Sequence, residues 1–304
     1  MVTHLLRLSD LSKTDFEIFF DRAMELKRRQ KQGTTHRSLT GKTLGLVFDK
    51  PSTRTRASFE AAMVQLGGTP LFISAKDTQM SRAEPIKDTA RVLSRYLDGL
   101  AIRTFSQDVL DEFARFATIP IINALTDLYH PCQVLSDLLT VIQLKRGYAN
   151  LKIAWVGDGN NMAHSWINAA AVLGLNLALA CPQGYLPQES ILDDASQKSR
   201  AEIRLTTDPV DAVKDADVVN TDVWASMGQE NDLEARKHVF EPYQVNTDLL
   251  GHAAKDVIVM HCLPAHRGEE ITEEVLEGPH SVVWDQSENK LHMHKAILEV
   301  LLAR

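Results

Sequence analysis

Lys50-Pro-Ser-Thr-Arg-Thr-Arg56 gathers hydroxyls and cations within seven residues, the donor set that a phosphate group requires. Ser52, Thr53 and Thr55 offer hydroxyl donors, and Arg54 offers a planar fork that matches phosphate oxygens. The string lies between an apolar run, Thr43–Phe48, and a helical pattern, Arg54–Leu66, closed by Gly67-Gly68. It therefore predicts a strand-to-helix turn, where free backbone N–H groups and the helix dipole favour an anion. An N-cap Ser or Thr followed by two surface arginines is the plainer reading of any Ser-Thr-Arg string. It accounts poorly for five consecutive donors, Ser52 to Arg56, placed at such a turn. No Gly-Lys-Ser/Thr follows a spaced glycine, so a nucleotide phosphate is not the first expectation.

Three further strings carry chemistry-capable side chains: His130-Pro-Cys-Gln133, Asp222-Val-Trp-Ala-Ser-Met-Gly228 and His261-Cys-Leu-Pro264. Taken singly, each fits a purely structural role. A lone His is more often a packed residue than a catalytic one, Cys262 after an apolar strand suits a core, and Asp222 suits a turn. Gly157-Asp-Gly-Asn-Asn-Met162 imitates the start of a dinucleotide-binding fingerprint. Its sixth position is Met162 instead of a small residue, and the next strand ends at Cys181-Pro182 without an acid for a ribose hydroxyl, which disfavours NAD. Asn160 and Asn161 still lie at a strand's carboxyl end, where open α/β sheets bind ligands.

The elements that must hold these residues alternate. Strands are expected at 43–48, 71–74, 99–105 and 119–123, with helices at 54–66, 86–97 and 107–117 between them. A helix from Cys132 to Lys145 ends near Gly147, and the alternation restarts. Strands follow at 152–156, 175–180, 202–205, 217–220 and 257–260, with a helix at 162–173 and a last, amphipathic helix at 288–302. Continuous apolar strands alternating with helices predict an α/β fold whose parallel sheets carry helices on both faces. The expectation is two such domains, residues 1–147 joined by the returning helix 287–304, and residues 148–286, with the active site in the cleft between them. The polar, irregular stretch Trp224–Arg236 is expected to be a mobile loop that closes over a ligand.

Of 304 residues, 33 are Lys or Arg and 40 are Asp or Glu, a net charge of −7 that argues against a nucleic acid or an anionic membrane as partner. Cys132, Cys181 and Cys262 form no Cys-x-x-Cys pair and are odd in number, which points to a reducing compartment. The first ten residues lack the apolar core of a signal peptide, and no apolar run approaches the about 20 residues that span a bilayer. A cytoplasmic protein is expected.

Ser52-Thr-Arg-Thr-Arg56, His130-Pro-Cys-Gln133, Asp222-Val-Trp-Ala-Ser-Met-Gly228 and His261-Cys-Leu-Pro264, in this order, resemble the aspartate/ornithine carbamoyltransferase family. The last two strings resemble its ornithine branch, and the likeness runs from about Leu5 to the final helix. The resemblance implies transfer of a carbamoyl group from carbamoyl phosphate to the δ-amine of L-ornithine, giving L-citrulline and phosphate, in arginine biosynthesis. It implies that Ser52, Thr53, Arg54, Thr55, Gln79, Arg103, His130, Pro131, Cys132, Gln133, Cys262, Leu263 and Lys290 surround carbamoyl phosphate. Arg103, His130 and Cys262 would be catalytic, and Asn161, Asp222, Ser226 and Met227 would hold ornithine. It further implies a homotrimer or an assembly of trimers, with Gln79 reaching a neighbouring subunit's site, and neither cofactor nor metal.

One position departs from the family. Glu288-Asn-Lys290 stands where the family has Glu-Asn-Arg, whose Arg contacts carbamoyl phosphate; Lys keeps the charge and loses the planar fork. An aspartate-specific relative would place an Arg after its His-Pro-Leu-Pro string, whereas His261-Cys-Leu-Pro-Ala-His266 has none. Putrescine or N-acetylated ornithine as acceptor, a catalytically silent scaffold and an NAD-dependent oxidoreductase are the competing readings.

Overall fold

The computed structural model describes residues 2–74, 84–198, 202–225 and 233–303. The chain forms two compact units, residues 1–139 with 288–304, and residues 140–287. The first division falls inside an unbroken helix, Pro131–Lys145, and not at its glycine end near residue 147.

The first unit contains α1 (Lys13–Lys31), β1 (Thr43–Phe48), α2 (Thr53–Gln65), β2 (Thr69–Ser74), α3 (Ile86–Leu93), β3 (Gly99–Arg103), α4 (Gln107–Phe116), β4 (Ile121–Leu125) and most of α5 (Pro131–Lys145). The four strands are parallel in the order β2-β1-β3-β4. Register places Phe48 beside Arg103, and Arg103 beside Leu125. The chain therefore leaves β1, β3 and β4 at one edge, and Asp49 N–H donates to Arg103 O at 2.9 Å there. Residues 49–52, Arg103 and the turn 126–130 share that edge.

The second unit contains β5 (Lys152–Val156), α6 (Asn161–Leu173), β6 (Asn176–Ala180), α7 (Glu189–Lys198), β7 (Ile203–Thr206), α8 (Pro209–Val213), β8 (Val218–Thr221), α9 (Leu233–Phe240), α10 (Thr247–Leu250), β9 (Ile258–His261), α11 (Glu273–Leu276) and the start of α12 (Val283–Leu302). Its five strands are parallel in the order β7-β6-β5-β8-β9, so the winding reverses between β5 and β8. Such a switch point opens a crevice at the carboxyl ends. Val156 is level with Thr221, and Thr221 with His261, which brings Gly157–Asn161, Asp222 and Cys262 to that edge.

Several local features differ from expectation. Helix α1 is additional, and Ser12 and Asp15 form a reciprocal capping box at its start. Helix α3 stops at Leu93, and the Ser94 hydroxyl donates back to Ala90 O at 2.7 Å. Helix α12 starts earlier, at Val283, and in its first turns Trp284, Asp285, Ser287 and Glu288 are exposed while Val283 and Gln286 are buried. From Asn289 to Leu298 it is buried almost throughout and not amphipathic. Two of its polar residues are tied to other helices of the first unit: Lys27 of α1 donates to Asn289 Oδ1 at 2.7 Å, and Ser58 of α2 bonds His294 Nδ1 at 2.8 Å. Of the expected loop Trp224–Arg236, residues from Leu233 onward are helical; residues 226–232 lie outside the described set.

The two glycines of the dinucleotide-like string have separate reasons. Gly157 has φ of 137°, which favours glycine. At Gly159 a Cβ would lie 2.2 Å from Pro187 N and 2.4 Å from Leu186 C, so this glycine admits the 186–187 backbone. The neighbouring main chain occupies the approach that a pyrophosphate would need. Gly159→Ala should force that backbone apart and lower stability by about 1–3 kcal/mol. A lowered urea midpoint is the expected result, and an unchanged midpoint would contradict the packing argument.

Candidate active site

At the edge of the first unit, Ser52 is the N-cap of α2, and its side chain makes no capping hydrogen bond. The N–H groups of the first turn are thus left to another acceptor. Ser52 is half-buried, Thr53 and Arg54 are exposed, and Thr55 is buried. The two arginines differ. Arg56 Nε pairs with Glu60 Oε1 at 2.8 Å, and its guanidinium lies 3.6 Å over the Phe72 ring. Arg54 has no hydrogen bond or ion pair among the described residues. Lys50, ahead of the turn, is committed to an ion pair with Asp127 and sits 4.2 Å over the Phe105 ring.

Arg103 is 5% exposed at the end of β3. The turn after β4 is tied by Thr126, whose hydroxyl donates to Gln107 Oε1 at 2.8 Å and accepts from Tyr129 N–H at 3.1 Å. His130 follows, and Pro131 opens α5, where a missing N–H costs nothing. Burial, then the charges of Lys290 and Arg103 and the nearby His294, hold the His130 imidazole well below its usual pKa. It is neutral at physiological pH, with one N–H to donate.

The Cys132 thiol donates to Asn123 O at 3.3 Å, and burial pushes its pKa up to about 12. It packs as a structural thiol. Gln133 is held at both ends of its amide, accepting from Lys290 Nζ and donating to Asp137 Oδ1, each at 2.8 Å. Asp137 and His294 escaped the sequence reading. Both stand four residues from a site residue on the same helix, Gln133 and Lys290, a spacing that places side chains on one face. His294 stacks on Phe59 with ring centroids 3.7 Å apart.

In the second unit, Asp222 follows β8 and Cys262 follows β9. The Cys262 thiol donates to Asp222 Oδ1 at 3.0 Å, and that oxygen also accepts from Val223 N–H at 2.9 Å. Asn160 caps α6, its Oδ1 accepting from Met162 N–H at 2.9 Å, while its Nδ2 approaches Asp222 Oδ2 at 3.4 Å. Asn161 begins the helix beside it, half-buried. Asp158 forms a nearly buried pair with Arg236 at 2.8 Å, and Arg236 also donates to Trp224 O at 2.6 Å. Burial pushes the Asp158 carboxyl upward in pKa, against the opposing guanidinium, and the Asp222 charge adds to the rise.

The His261–Pro264 turn is braced by residues that sequence reasoning missed. His261 Nε2 bonds the buried Glu270 at 2.9 Å, its Nδ1 accepts from Leu263 N–H at 2.9 Å, and its own N–H donates to Gln286 Oε1 at 2.9 Å. Leu263 has φ of 57°, a left-handed conformation that costs a branched residue roughly 1–2 kcal/mol. The brace holds it there. Asp222, His261 and Cys262 present ligand atoms within 4.8 Å of one another. Both His261 nitrogens are already engaged, so the group is read as a hydrogen-bonded network. Gln79, Ser226 and Met227 lie outside the described residues.

Two family models match the chain: the carbamoyl-P binding domain of aspartate/ornithine carbamoyltransferase over residues 3–143, and its Asp/Orn binding domain over residues 149–301. The chain is 58% identical over 302 residues to the ornithine carbamoyltransferase of Syntrophus aciditrophicus (strain SB), covering 99% of this chain and 100% of that protein. It is 56% identical over 302 residues to that of Geobacter sulfurreducens, with the same coverage. The solved ornithine carbamoyltransferase from Pyrococcus furiosus superimposes with a TM-score of 0.95 at 48% identity, over 99% of each chain.

The buried histidines make stability depend on pH. His130 and His294 stay neutral in the folded chain well below the usual histidine range, whereas an unfolded histidine titrates near ~6.5. As pH falls through that value the unfolded state gains protons that the folded state does not, so acidification lowers stability. Between about pH 7.5 and 5.5 each histidine should contribute about 1.4 kcal/mol of loss, about 3 kcal/mol together. Urea unfolding across this interval checks it. His130→Gln should reduce the dependence by about 1.4 kcal/mol, and an unaltered dependence would count against a neutral, buried ring.

Proposed function

The chain belongs to the aspartate/ornithine carbamoyltransferase family, and we propose on that footing that it transfers the carbamoyl group of carbamoyl phosphate to the δ-amine of L-ornithine, releasing L-citrulline and phosphate. The reading is carried by one combination. A phosphate-type turn in the first unit and a carboxylate–thiol pair in the second lie at the carboxyl edges of their sheets, in a chain that aligns end to end with ornithine carbamoyltransferases.

Carbamoyl phosphate is already an activated acyl donor, so catalysis can rest on positioning and on stabilising charge. Ser52, Thr53, Arg54, Thr55 and the start of α2 take the phosphate, and Arg103 bridges phosphate and carbonyl oxygen. Neutral His130 donates its N–H to the carbonyl oxygen as negative charge develops there. Pro131 and Cys132 form the wall behind it, and Gln133 holds the carbamoyl amide, with Gln79 and Lys290 completing the donor side.

On the acceptor side Asn161, Asp222, Ser226 and Met227 hold ornithine, and Cys262 and Leu263 line the reacting centre. Asp222 suits a cationic amino acid, whereas aspartate would need a cation in its place. An alkyl ammonium has a pKa near 10.4, so about one molecule in a thousand is neutral near pH 7. The site must exclude water to favour that form. Asp222 by itself favours the charged amine, which assigns it to binding and orientation. The departing phosphate is a chemically suitable acceptor for the proton released on attack.

The proposed setting is arginine biosynthesis in the cytoplasm, by a homotrimer or an assembly of trimers in which Gln79 completes a neighbour's site. The family resemblance supports this, and the three free cysteines suit a reducing compartment. Among the described residues no helix is long and apolar enough to cross a membrane.

The decisive assay supplies carbamoyl phosphate and a panel of amines. Ornithine should exceed aspartate, putrescine and N-acetylornithine by orders of magnitude in kcat/KM, and equal turnover of any of these would overturn the acceptor assignment. The contrast between the two arginines gives a second expectation. Arg54→Ala should lower kcat/KM for carbamoyl phosphate by roughly 10- to 150-fold, the equivalent of about 1.5–3 kcal/mol for a charge-assisted contact. Arg56→Ala, which removes a surface pair, should stay within a few-fold of the parent. Equal effects would contradict the division of labour in the turn.

A further inference from the structure

Lys290 departs from the family's arginine, and its surroundings give it a different task. Its ammonium on α12 lies 2.8 Å from Oε1 of Gln133 on α5, and the two residues are only 6% and 2% exposed. Nε2 of the same amide donates to Asp137 Oδ1 at 2.8 Å. A glutamine amide is nearly symmetric in shape, and its ends differ in that one accepts and the other donates. A cation at one end and a carboxylate at the other remove the ambiguity. Turned over, the amide would set its NH2 against an ammonium and its oxygen against a carboxylate, two repulsive contacts inside a buried network.

The oriented oxygen retains a second lone pair beyond the one that Lys290 uses. That lone pair is the feature an N–H of a carbamoyl group needs. One oxygen calls for one donor, which an ammonium supplies as a point charge. The helix that carries Lys290 is itself pinned to the phosphate helix, through the His294–Ser58 hydrogen bond and the stacking of His294 on Phe59.

Resting on the donor-site reading above, we infer that Lys290 is a positioning residue for the carbamoyl amide, acting through Gln133 and not by contact with the phosphate. The carbamoyl end of the donor is then recognised by a chain of three side chains, Lys290, Gln133 and Asp137, and the phosphate end by the Ser52–Thr55 turn and Arg103.

The test separates the two ends of the donor without any acceptor. Binding of inorganic phosphate, which has no amide, is compared by calorimetry with that of phosphonoacetamide, whose amide and phosphonate mimic carbamoyl phosphate. The full-length proteins are the parent, K290M, K290R, Q133A and K290M/Q133A. K290M should weaken phosphonoacetamide roughly tenfold, or about 1.4 kcal/mol, and leave phosphate within about twofold. K290R, which keeps a charged donor, should rescue most of the loss. The double variant should bind phosphonoacetamide about as well as Q133A alone, because the lysine acts through the glutamine. Equal weakening of both ligands by K290M would reveal a direct phosphate contact and overturn the inference, as would unaltered phosphonoacetamide binding. If K290M loses its far-UV circular dichroism, K290Q carries the same comparison. Failure of the parent to bind either ligand would overturn the donor-site reading itself, and this inference with it.

Discussion

In a wholly parallel sheet, strand register determines which side chains can meet, because every strand ends on the same edge. Here Phe48, Arg103 and Leu125 are level, and so are Val156, Thr221 and His261. The residues immediately after those positions are the ones with chemistry: the 49–55 turn, the 126–133 segment, the 157–161 loop, Asp222 and Cys262. A slip of one residue in any strand would turn its side chains to the opposite face and dismantle the arrangement. β1, β3 and β5 are packed on both faces, so a slip there would exchange the two sets of side chains and break close packing on each face.

Around this edge the polar interior of the first unit is organised by α12. Lysines and histidines are seldom buried without partners. Here the costs are offset in two ways. Lys27 is matched by Glu288 at 3.0 Å and by Asn289, and Lys290 by Gln133. His130 and His294 are simply left uncharged. The outcome is a set of donors whose protonation is settled before any ligand arrives, and a preset field needs little reorganisation when charge develops. In the second unit the His261–Glu270–Gln286 brace does the corresponding work for the backbone, holding Leu263 in a conformation it would not choose alone.

Much of this is legible in the residues. Strands such as Thr43–Phe48 and Lys152–Val156 can be bounded from sequence, because a short, continuous apolar run between turn residues suits a buried strand and is too short for a helix. The Ser52–Arg56 turn is legible because its donor density is unusual. The harder features are those in which tertiary contact overrides local pattern. Nothing in Glu288–Leu302 announces that both faces of the helix will be covered, since Lys290, His292, His294 and Lys295 are residue types that ordinarily face solvent and here are buried. The Asp158–Arg236 pair joins residues 78 apart in sequence and leaves no local signature. Gly159 resembles part of a cofactor motif, because a glycine needed for close backbone approach gives the same letter whether the neighbour is a ligand or residues 186–187.

The three thiols occupy unequal chemical environments. Cys132 and Cys181 are buried in surroundings that raise their pKa, and only a thiolate attacks an electrophile. Cys262 is half-buried and lies against Asp222. Of the three, Cys262 is the least buried, and a reagent that alkylates it would break the Cys262–Asp222 hydrogen bond and set its adduct beside that carboxylate.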